Sequence, residues 1–225
     1  MRSVSAIAPS SKSRLTPYSA DHFAGTTLFD RIARAVCTAG CLPAKELFEA
    51  WEVARQTRRR FKGGRVVDLA CGHGLLAHIM LILDDTSADA LMVDIKLPKS
   101  AAKLSAALCE VWPHLAGRVK TVQAPLESVE LHSSDVIVAS HACGALTDAV
   151  LQCAVKANAR VSVLPCCHHL LHDKKHLLQG WMDGALALDV DRAMMLERRG
   201  FDVHTRCIPA EITPKNRLLL AEPRA

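Results

Sequence analysis

The sequence lacks the long uncharged apolar runs that mark membrane helices. Its 225 residues are 50% hydrophobic and 23% charged, and charged residues interrupt every apolar stretch well before the ~20 residues that a bilayer-spanning helix needs. A secretory h-region and internal repeats are also missing. We therefore expect a soluble globular chain with one main domain, a short appendage and one active site.

A disulfide scaffold and a strong excess of one charge are missing as well. The nine cysteines are an odd number, scattered through segments typical of buried strands and helices, which favours free thiols in the cytoplasm. Lys and Arg number 28 against 23 Asp and Glu, a net charge of +5. This excess is too small to establish nucleic-acid binding, but it suits a polyanionic partner where the charge is clustered.

Basic residues do cluster in one run, TRRRFKGGR at 57–65. The run is compatible with an RNA-facing patch, and equally with a solvated helix end that leads into a loop. Two further basic residues precede the last predicted strand. The candidate substrate-binding residues are Arg59, Arg60, Lys215 and Arg217.

The chain divides into three parts. Residues 1–25 are rich in Ser and Ala, with no acid before Asp21, which predicts a disordered tail and also fits a transit peptide. Residues 26–61 predict an N-terminal extension of two amphipathic helices that could cap a cleft, the second with Pro43 in its first turn. Residues 62–225 form the main domain.

The main domain alternates strands with helices, which predicts a mostly parallel α/β sheet with helices on both faces. Its first strand, in RVVDLACGHG, runs into the helix LLAHIMLIL. The last two strands, FDVHTRCIPA and NRLLLAEP, have no helix between them and predict an antiparallel hairpin. The result is a Rossmann-like, seven-stranded sheet with a C-terminal hairpin, the usual ending of class I methyltransferases.

A cofactor site is predicted where the first strand ends. Small residues at 70, 72 and 74 let the backbone approach a ligand, and the following helix amino terminus favours a carboxylate or phosphate. Asp94, at the end of the second strand, suits both hydroxyls of a ribose, and Gln123 follows the third strand, where an adenine edge usually binds. The predicted cofactor-binding residues are Asp68, Ala70, Cys71, Gly72, His73, Gly74, Asp94, Gln123 and His141.

Two nucleoside cofactors fit this loop. Gly72-x-Gly74-x-x-Ala77 matches the dinucleotide fingerprint and leaves NAD open. Asp68 favours S-adenosylmethionine, because its carboxylate suits a cationic amino group and would repel a pyrophosphate. The closing hairpin points the same way. A glycine-rich turn that binds no ligand is the remaining alternative.

The reaction site is expected at the ends of the fourth and fifth strands, because ligands of open α/β sheets lie outside the carboxyl ends of the strands. SHACG at 140–144 and PCCHH at 165–169 occupy these ends. The Asn/Asp-Pro-Pro-aromatic motif of amino-group methyltransferases is missing from the fourth strand. Methylation of an exocyclic base amine is therefore less favoured.

The pair SHACGALTD (140–148) and PCCHH (165–169) resembles the paired signature of the tRNA ribose 2′-O-methyltransferases that modify the acceptor stem, and of their methyltransferase-like relatives. With the cofactor motif, the resemblance spans residues 62–222 and implies methyl transfer to an RNA ribose, with tRNA as the partner. The Cys/His-rich zinc modules that precede the catalytic domain of eukaryotic tRNA members are missing here. The resemblance assigns His141, Cys143, Gly144 and Asp148 to the first signature and Cys166, Cys167 and His168 to the second.

Methyl transfer to a hydroxyl gains from a nearby base, and a histidine with a near-neutral pKa suits that role. The candidate catalytic residues are His141, Cys166, Cys167 and His168. Each histidine also fits a purely structural role, and the cysteines also fit packing or a nucleophile for base C5 methylation. A metal at the Cys/His cluster of 166–176 is disfavoured, since adjacent cysteines suit one tetrahedral ion poorly.

Two other functions stay open. One is a methyltransferase that acts on a protein or a small molecule. The other is a domain that binds S-adenosylmethionine without catalysis. Arg192 either binds phosphate or solvates a loop, and the latter is favoured slightly. The sequence makes no prediction of oligomeric state.

Overall fold

The computed structural model describes residues 7–165, 178 and 180–224. Within them the chain forms six α-helices and seven strands. The helices are α1 Leu28–Ala39, α2 Ala44–Arg60, α3 Leu75–Leu83, α4 Ala101–Val111, α5 Ala145–Ala157 and α6 Gly184–Arg198. The strands are β1 Val66–Leu69, β2 Ala90–Asp94, β3 Val119–Gln123, β4 Val136–Ala139, β5 Arg160–Val163, β6 Phe201–Cys207 and β7 Arg217–Pro223. Short 3₁₀ helices span Pro17–Phe23, Pro113–Leu115 and Leu126–Ser128.

All seven strands join one sheet in the order β3-β2-β1-β4-β5-β7-β6. Strands β1 to β5 pair in parallel, and β7 runs antiparallel to both β5 and β6. The predicted α/β fold with its closing hairpin is thereby confirmed. The strand order reverses between β1 and β4, so the loops after these two strands meet at the switch point where such sheets bind ligands.

Strand residues alternate between two apolar cores. Val66 and Val138 belong to the core beneath α1–α4, and Val67 and Ile137 to the core beneath α5 and α6; all four are fully buried. Consecutive side chains of a strand point to opposite faces, so strands buried on both faces read as continuous apolar runs such as VIVA. No helix in the described ranges is long and apolar enough to cross a membrane.

Helices α1 and α2 belong to the helical layer that covers one face of the sheet. Thr27 caps α1 by accepting the Asp30 backbone N–H at 3.1 Å, and Gly40 ends the helix in a left-handed conformation. Pro43 precedes the first helical residue of α2 as its N-cap, one position before the predicted first turn. α1 packs against α4 and α2 against α3, so both helices cover the core.

The N-terminal strap, residues 11–17, lies in the segment that the sequence predicted to be disordered. Its backbone is bonded to the α1–α2 connection: Leu15 N–H donates to the Leu42 carbonyl at 2.8 Å, and Lys45 N–H to the Ser11 carbonyl at 2.9 Å. Leu15 and, further on, Phe23 are buried in the core. The prediction of disorder is therefore wrong for the strap and for the 3₁₀ helix that follows it.

The basic end of α2 is largely a structural element. Arg58 is only 2% exposed; its Nε donates to the Met80 carbonyl at 3.0 Å, and its guanidinium pairs with Asp84 at 3.2 Å. Arg65 binds Asp135 through two hydrogen bonds of 3.1 and 2.7 Å. Burial lowers the pKa of Arg58 to about 10, which leaves it charged at neutral pH. The run therefore serves mainly to join α2, β1 and β4.

We predict that Arg58→Ala destabilises the protein strongly. The substitution removes a buried cation and leaves Asp84 and the Met80 carbonyl without their partner, a loss of about 3 kcal/mol or more. For a chain of this size that lowers Tm by roughly 6–12 °C. Thermal unfolding followed by circular dichroism measures it, with Arg59→Ala as control, because Arg59 is exposed and its loss should change stability by less than ~0.5 kcal/mol. Equal shifts in the two variants would contradict the structural role.

Candidate active site

The carboxyl ends of β1, β2 and β4 bring the predicted cofactor loop and reaction residues to one place. The loop 70–74 follows β1, Asp94 ends β2, and His141 lies two residues after β4. A cavity of about 140 Å³ joins the loop to the end of β4 and to α2, below the ~300 Å³ of pockets that hold a whole cofactor. It is lined by Leu42, Glu46, Ala50, Cys71, Gly72, His73, Leu75, Leu76, Ser140 and His141. We call it the His141 cavity; it accommodates one end of a larger ligand.

Asp94 fixes the glycine loop. Its carboxylate accepts the Gly72 N–H at 2.9 Å and the Lys96 N–H at 3.0 Å. The side chain is half-buried. These bonds give Asp94 a role in positioning the loop, and its predicted role as a ribose acceptor stays a prediction.

Asp68 lies beneath the loop. It is 1% exposed, and its carboxylate accepts the Ala77 N–H in the first turn of α3 at 3.3 Å. Burial, with a smaller contribution from Asp94, raises the pKa of Asp68 to about 8. Asp68 does not line the His141 cavity, and its hydrogen bond joins the end of β1 to the start of α3; its predicted contact with the cofactor stays a prediction.

The loop residues Gly74 and Ala70 both adopt backbone conformations with positive φ. Gly74 has φ +74°, and a Cβ there would lie 1.9 Å from the Met92 sulfur, so no larger residue fits. Ala70 also has positive φ, +59°, although it carries a Cβ. Such a conformation costs an L-residue about 1–2 kcal/mol. The loop therefore stores strain beside the ligand edge.

We predict that Ala70→Gly relieves this strain and stabilises the protein. The gain in the folded state is offset in part by the greater freedom of glycine in the unfolded chain, about 0.4–1 kcal/mol. The net increase is roughly 0.5–1 kcal/mol, or a rise in Tm of about 1–4 °C. Ala116→Gly is the control, because Ala116 has φ −59° and glycine there should destabilise. A decrease in Tm for Ala70→Gly would mean that the Ala70 methyl group packs more tightly than its strain costs.

His141 is a half-buried, neutral imidazole. Burial, and then the charges of Lys45 and His73, lower its pKa to about 4. The turn that carries it is fixed by neighbours: Thr147 donates to the Ala142 carbonyl, and Gly144 adopts φ 59° and ψ −126°, which only glycine adopts readily. The imidazole is therefore unprotonated at neutral pH, and the lowered pKa makes it a weaker base than an ordinary histidine.

An ion-pair network centred on the buried Arg192 holds the same turn from the α6 side. Arg192 donates to both oxygens of Asp148, at 2.8 and 3.1 Å, and to the Gly144 carbonyl at 3.0 Å. It also contacts Asp189 at 3.2 Å, and Arg217 binds the other oxygen of Asp189 at 2.6 Å. Gly144 and Asp148, both in the first signature, thus share one partner. Arg192 has a structural role that neither sequence alternative anticipated.

A family model described as a methyltransferase domain matches residues 45–174, which is more than half of the chain. The chain belongs to this methyltransferase domain family. The matched region starts at the beginning of α2 and includes the glycine loop, Asp94 and the His141 turn. No curated protein matches the sequence significantly.

Solved methyltransferases share the fold. An O-methyltransferase family protein from Burkholderia thailandensis superposes with a TM-score of 0.53 at 17% identity, covering 100% of this chain and 66% of that one. The m1A22 tRNA methyltransferase TrmK of B. subtilis gives a TM-score of 0.51 at 14% identity, covering 77% of this chain and 66% of its own. The chain thus spans just under two thirds of the length of either protein, and at these identities the likeness concerns the fold alone.

One residue at the edge of this methyltransferase domain escaped the sequence reasoning. Ile95, directly after Asp94, is 71% exposed, although an isoleucine normally lies inside a protein. It is an exposed apolar side chain beside the Asp94 carboxylate, and so a candidate contact for a nucleobase. The sequence feature that could have identified Ile95 is an apolar residue that directly follows the acid at the end of a strand. Gln123 pairs with Asp94 in register and is exposed, but it does not line the His141 cavity.

Other predicted residues lie apart from this edge. Arg59 and Arg60 sit near the amino ends of the strands, opposite the glycine loop, and Arg60 binds Glu222. Lys215 is exposed before β7, and Arg217 is paired with Asp189. Within the described residues no group of three metal-ligating side chains occurs. Cys166, Cys167 and His168 lie outside the described residues.

Proposed function

We propose that this methyltransferase uses S-adenosylmethionine to methylate RNA on a ribose 2′-hydroxyl. The observation that carries the proposal is the position of His141, a neutral, half-buried imidazole in the same cavity as Gly72 and His73 of the predicted cofactor loop. A base next to a bound methyl donor is what an unactivated hydroxyl requires, since its proton must leave as the new bond to carbon forms.

The residues of the loop fit the cofactor. A Cβ on Gly72 would meet nothing within 4 Å, so the loop backbone borders open space that a ligand can fill. Asp94 would accept the ribose hydroxyls, Ile95 would contact the adenine, and the backbone N–H groups that start α3 would face the carboxylate. When bound, S-adenosylmethionine supplies an electrophilic methyl group on a sulfonium.

His141 accepts the proton in the proposed reaction. The acceptor hydroxyl oxygen forms a bond to the methyl carbon, the carbon–sulfur bond breaks and its electron pair stays on sulfur, and the hydroxyl proton passes to the imidazole. The Arg192–Asp148 pair supports this step indirectly, because it holds the Gly144 end of the turn that carries His141.

Three observations support RNA as the acceptor. The first is the resemblance of the 140–148 and 165–169 signatures to the tRNA ribose methyltransferases. The second is the net charge of +5. The third is a cavity of about 480 Å³ on the outer face of β6 and β7, lined by Gln56, Arg59, Arg60, His204, Arg206 and Leu220. This basic cavity gives Arg59 and Arg60 a role in RNA binding at a distance from the reaction site.

A small-molecule acceptor is the second candidate, favoured by a larger and mainly apolar cavity of about 580 Å³ between α6 and the β6–β7 hairpin. Leu186, Val190 and Met194 line it, with the Asp189–Arg217 pair at one side. The volume lies in the range of pockets that bury a small ligand. It does not share a residue with the His141 cavity, which weakens this alternative.

RNase treatment separates the two candidates. Purified protein is incubated with methyl-labelled S-adenosylmethionine and a cell extract, with and without prior RNase digestion. Loss of labelled macromolecular product after RNase supports RNA as the acceptor. Label that persists after RNase in an organic-extractable product would contradict RNA and support the small-molecule alternative.

We predict that kcat/KM stays constant on the acidic side of its pH profile. Because the pKa of His141 is near 4, the base stays unprotonated as the pH falls from 8 to about 5, and kcat/KM should not decrease over that range for lack of the base. Lys45 and His73 disfavour its protonation, and Glu46 lines the same cavity from α2. The measurement is kcat/KM against pH at constant ionic strength. A limb with an apparent pKa of about 6.5, the ordinary histidine value, would assign the base to a more exposed histidine.

A further inference from the structure

A second, positively charged cavity adjoins the cofactor loop. It has a volume of about 300 Å³. It lies between the N-terminal strap, the connection between α1 and α2, and the amino terminus of α4. Its lining residues are Arg14, Ala39, Gly40, Cys41, His73, Pro98, Ser100 and Lys103. We call it the Arg14 cavity. It shares His73 with the His141 cavity, so this side chain borders both cavities.

The cations of the Arg14 cavity are not neutralised by neighbours. Among the residues that the structure describes, neither Arg14 nor Lys103 forms an ion pair, and both are exposed. Their fields reach the cavity wall: burial and then Arg14 lower the pKa of His73, and both cations oppose the burial that raises the pKa of Cys41. Glu46 is the acid that acts on Cys41, and its side chain lines the His141 cavity.

The wall between the two cavities is rigid. His73 Nε2 and Ser100 Oγ are 2.9 Å apart and hydrogen-bonded. Arg14 is held by its own backbone, because it forms a β-bridge with Pro43, and the next residue, Leu15, bonds to the Leu42 carbonyl at 2.8 Å. The strap therefore presents Arg14 at a fixed place, which a disordered tail would not do.

We infer that the Arg14 cavity binds a backbone phosphate of the substrate RNA, next to the nucleotide whose ribose is methylated. The inference rests on the proposed function. In RNA, every ribose 2′-hydroxyl lies next to a backbone phosphate. An RNA whose acceptor ribose occupies the His141 cavity therefore has a phosphate within reach of the adjoining cavity. A guanidinium, an ammonium and a serine hydroxyl are suitable donors for phosphate oxygens.

The test compares two double variants that lose the same charges. Arg14→Ala with Lys103→Ala removes the proposed phosphate ligands, and Lys156→Ala with Arg198→Ala removes one Arg and one Lys from the α5–α6 side. Both control residues are exposed. The probe is fluorescein-labelled bulk tRNA, and its Kd is measured by anisotropy at several salt concentrations, together with the Kd of S-adenosylmethionine by calorimetry.

We expect the Arg14/Lys103 variant to bind tRNA about 10-fold more weakly than the control variant, with a salt-dependence slope reduced by roughly 0.7 to 1 and an unchanged Kd for S-adenosylmethionine. Equal tRNA binding by the two variants would overturn the inference and leave the proposed function intact. Weakened S-adenosylmethionine binding with tRNA binding equal to the control would also overturn it, and would assign the cavity to the cofactor carboxylate. If the wild-type protein binds no tRNA, the RNA acceptor itself fails, and this inference fails with it.

Discussion

Replacing His141 by glutamine is expected to lower kcat by about 10²- to 10⁴-fold, the usual contribution of a general base. Glutamine keeps the approximate size and polarity of the side chain but cannot accept the hydroxyl proton. Because His141 lies after β4 and the proposed function places the cofactor chiefly on the loop after β1 and on Asp94, the Kd of S-adenosylmethionine should change by less than about threefold. Steady-state kinetics with RNA and calorimetry with the cofactor measure the two effects.

The matched control is His114→Gln. His114 is exposed in the 3₁₀ helix Pro113–Leu115, between α4 and β3, at the edge of the sheet opposite the site, and its replacement should leave kcat unchanged. If His141→Gln keeps full activity, His141 is a structural residue and the base must be sought elsewhere, with His168 of the second signature as the next candidate.

Replacing Asp94 by asparagine is expected to weaken S-adenosylmethionine binding by about 10- to 150-fold. A hydrogen bond to a charged acceptor contributes about 1.5–3 kcal/mol, and the carboxylate would accept two ribose hydroxyls while it already holds the Gly72 and Lys96 N–H groups. The asparagine amide has one acceptor oxygen, so it cannot serve both sides. Calorimetric titration of the variant measures the loss.

Asp85→Asn is the control for Asp94→Asn. Asp85 is exposed in the loop between α3 and β2, at the amino ends of the strands, so the same change of charge there should not affect cofactor affinity. Thermal unfolding of both variants separates loss of the site from loss of the fold. Equal affinities in the two variants would contradict the assignment of Asp94 as the ribose acceptor.

Much of the fold could be predicted because its signals are local. The runs VVDL and VIVA are strands buried on both faces, and their continuous apolar pattern indicates a parallel sheet without knowledge of the neighbours. The spacing from Gly74 to Asp94 placed both at the same edge, since consecutive parallel strands end there. The chain between 208 and 216 contains no helical pattern, which predicted the hairpin of β6 and β7.

The errors concern residues whose surroundings are set by tertiary contacts. Arg58 and Arg59 are neighbours in one basic run, yet Arg58 is buried and Arg59 is exposed, because α2 turns the first toward the Met80 carbonyl and Asp84. Composition cannot distinguish two such arginines. The strap was predicted to be disordered for a similar reason: its bonds to residues 42–45 are made by the backbone, and backbone pairing leaves little trace in side-chain type.

The candidate site was predictable in its chemistry and less so in its geometry. The motif identified Asp68 as acidic and close to the loop, but its direction beneath the loop, toward the Ala77 N–H, depends on the packing of α3. The low pKa of His141 depends on burial under α2 and on the charge of Lys45, and neither follows from the SHACG sequence. The Arg192–Asp148 pair joins residues 44 positions apart, beyond the reach of any local pattern.

The most direct test of the proposed activity is to identify the methylated nucleoside. Purified protein is incubated with methyl-labelled S-adenosylmethionine and either unmodified tRNA transcripts or total RNA from cells that lack the gene, and the RNA is digested to nucleosides for chromatography and mass spectrometry. We predict label in a 2′-O-methylated nucleoside, absent with His141→Gln. Label on a base, or cofactor binding with no label in any RNA, would contradict ribose methylation.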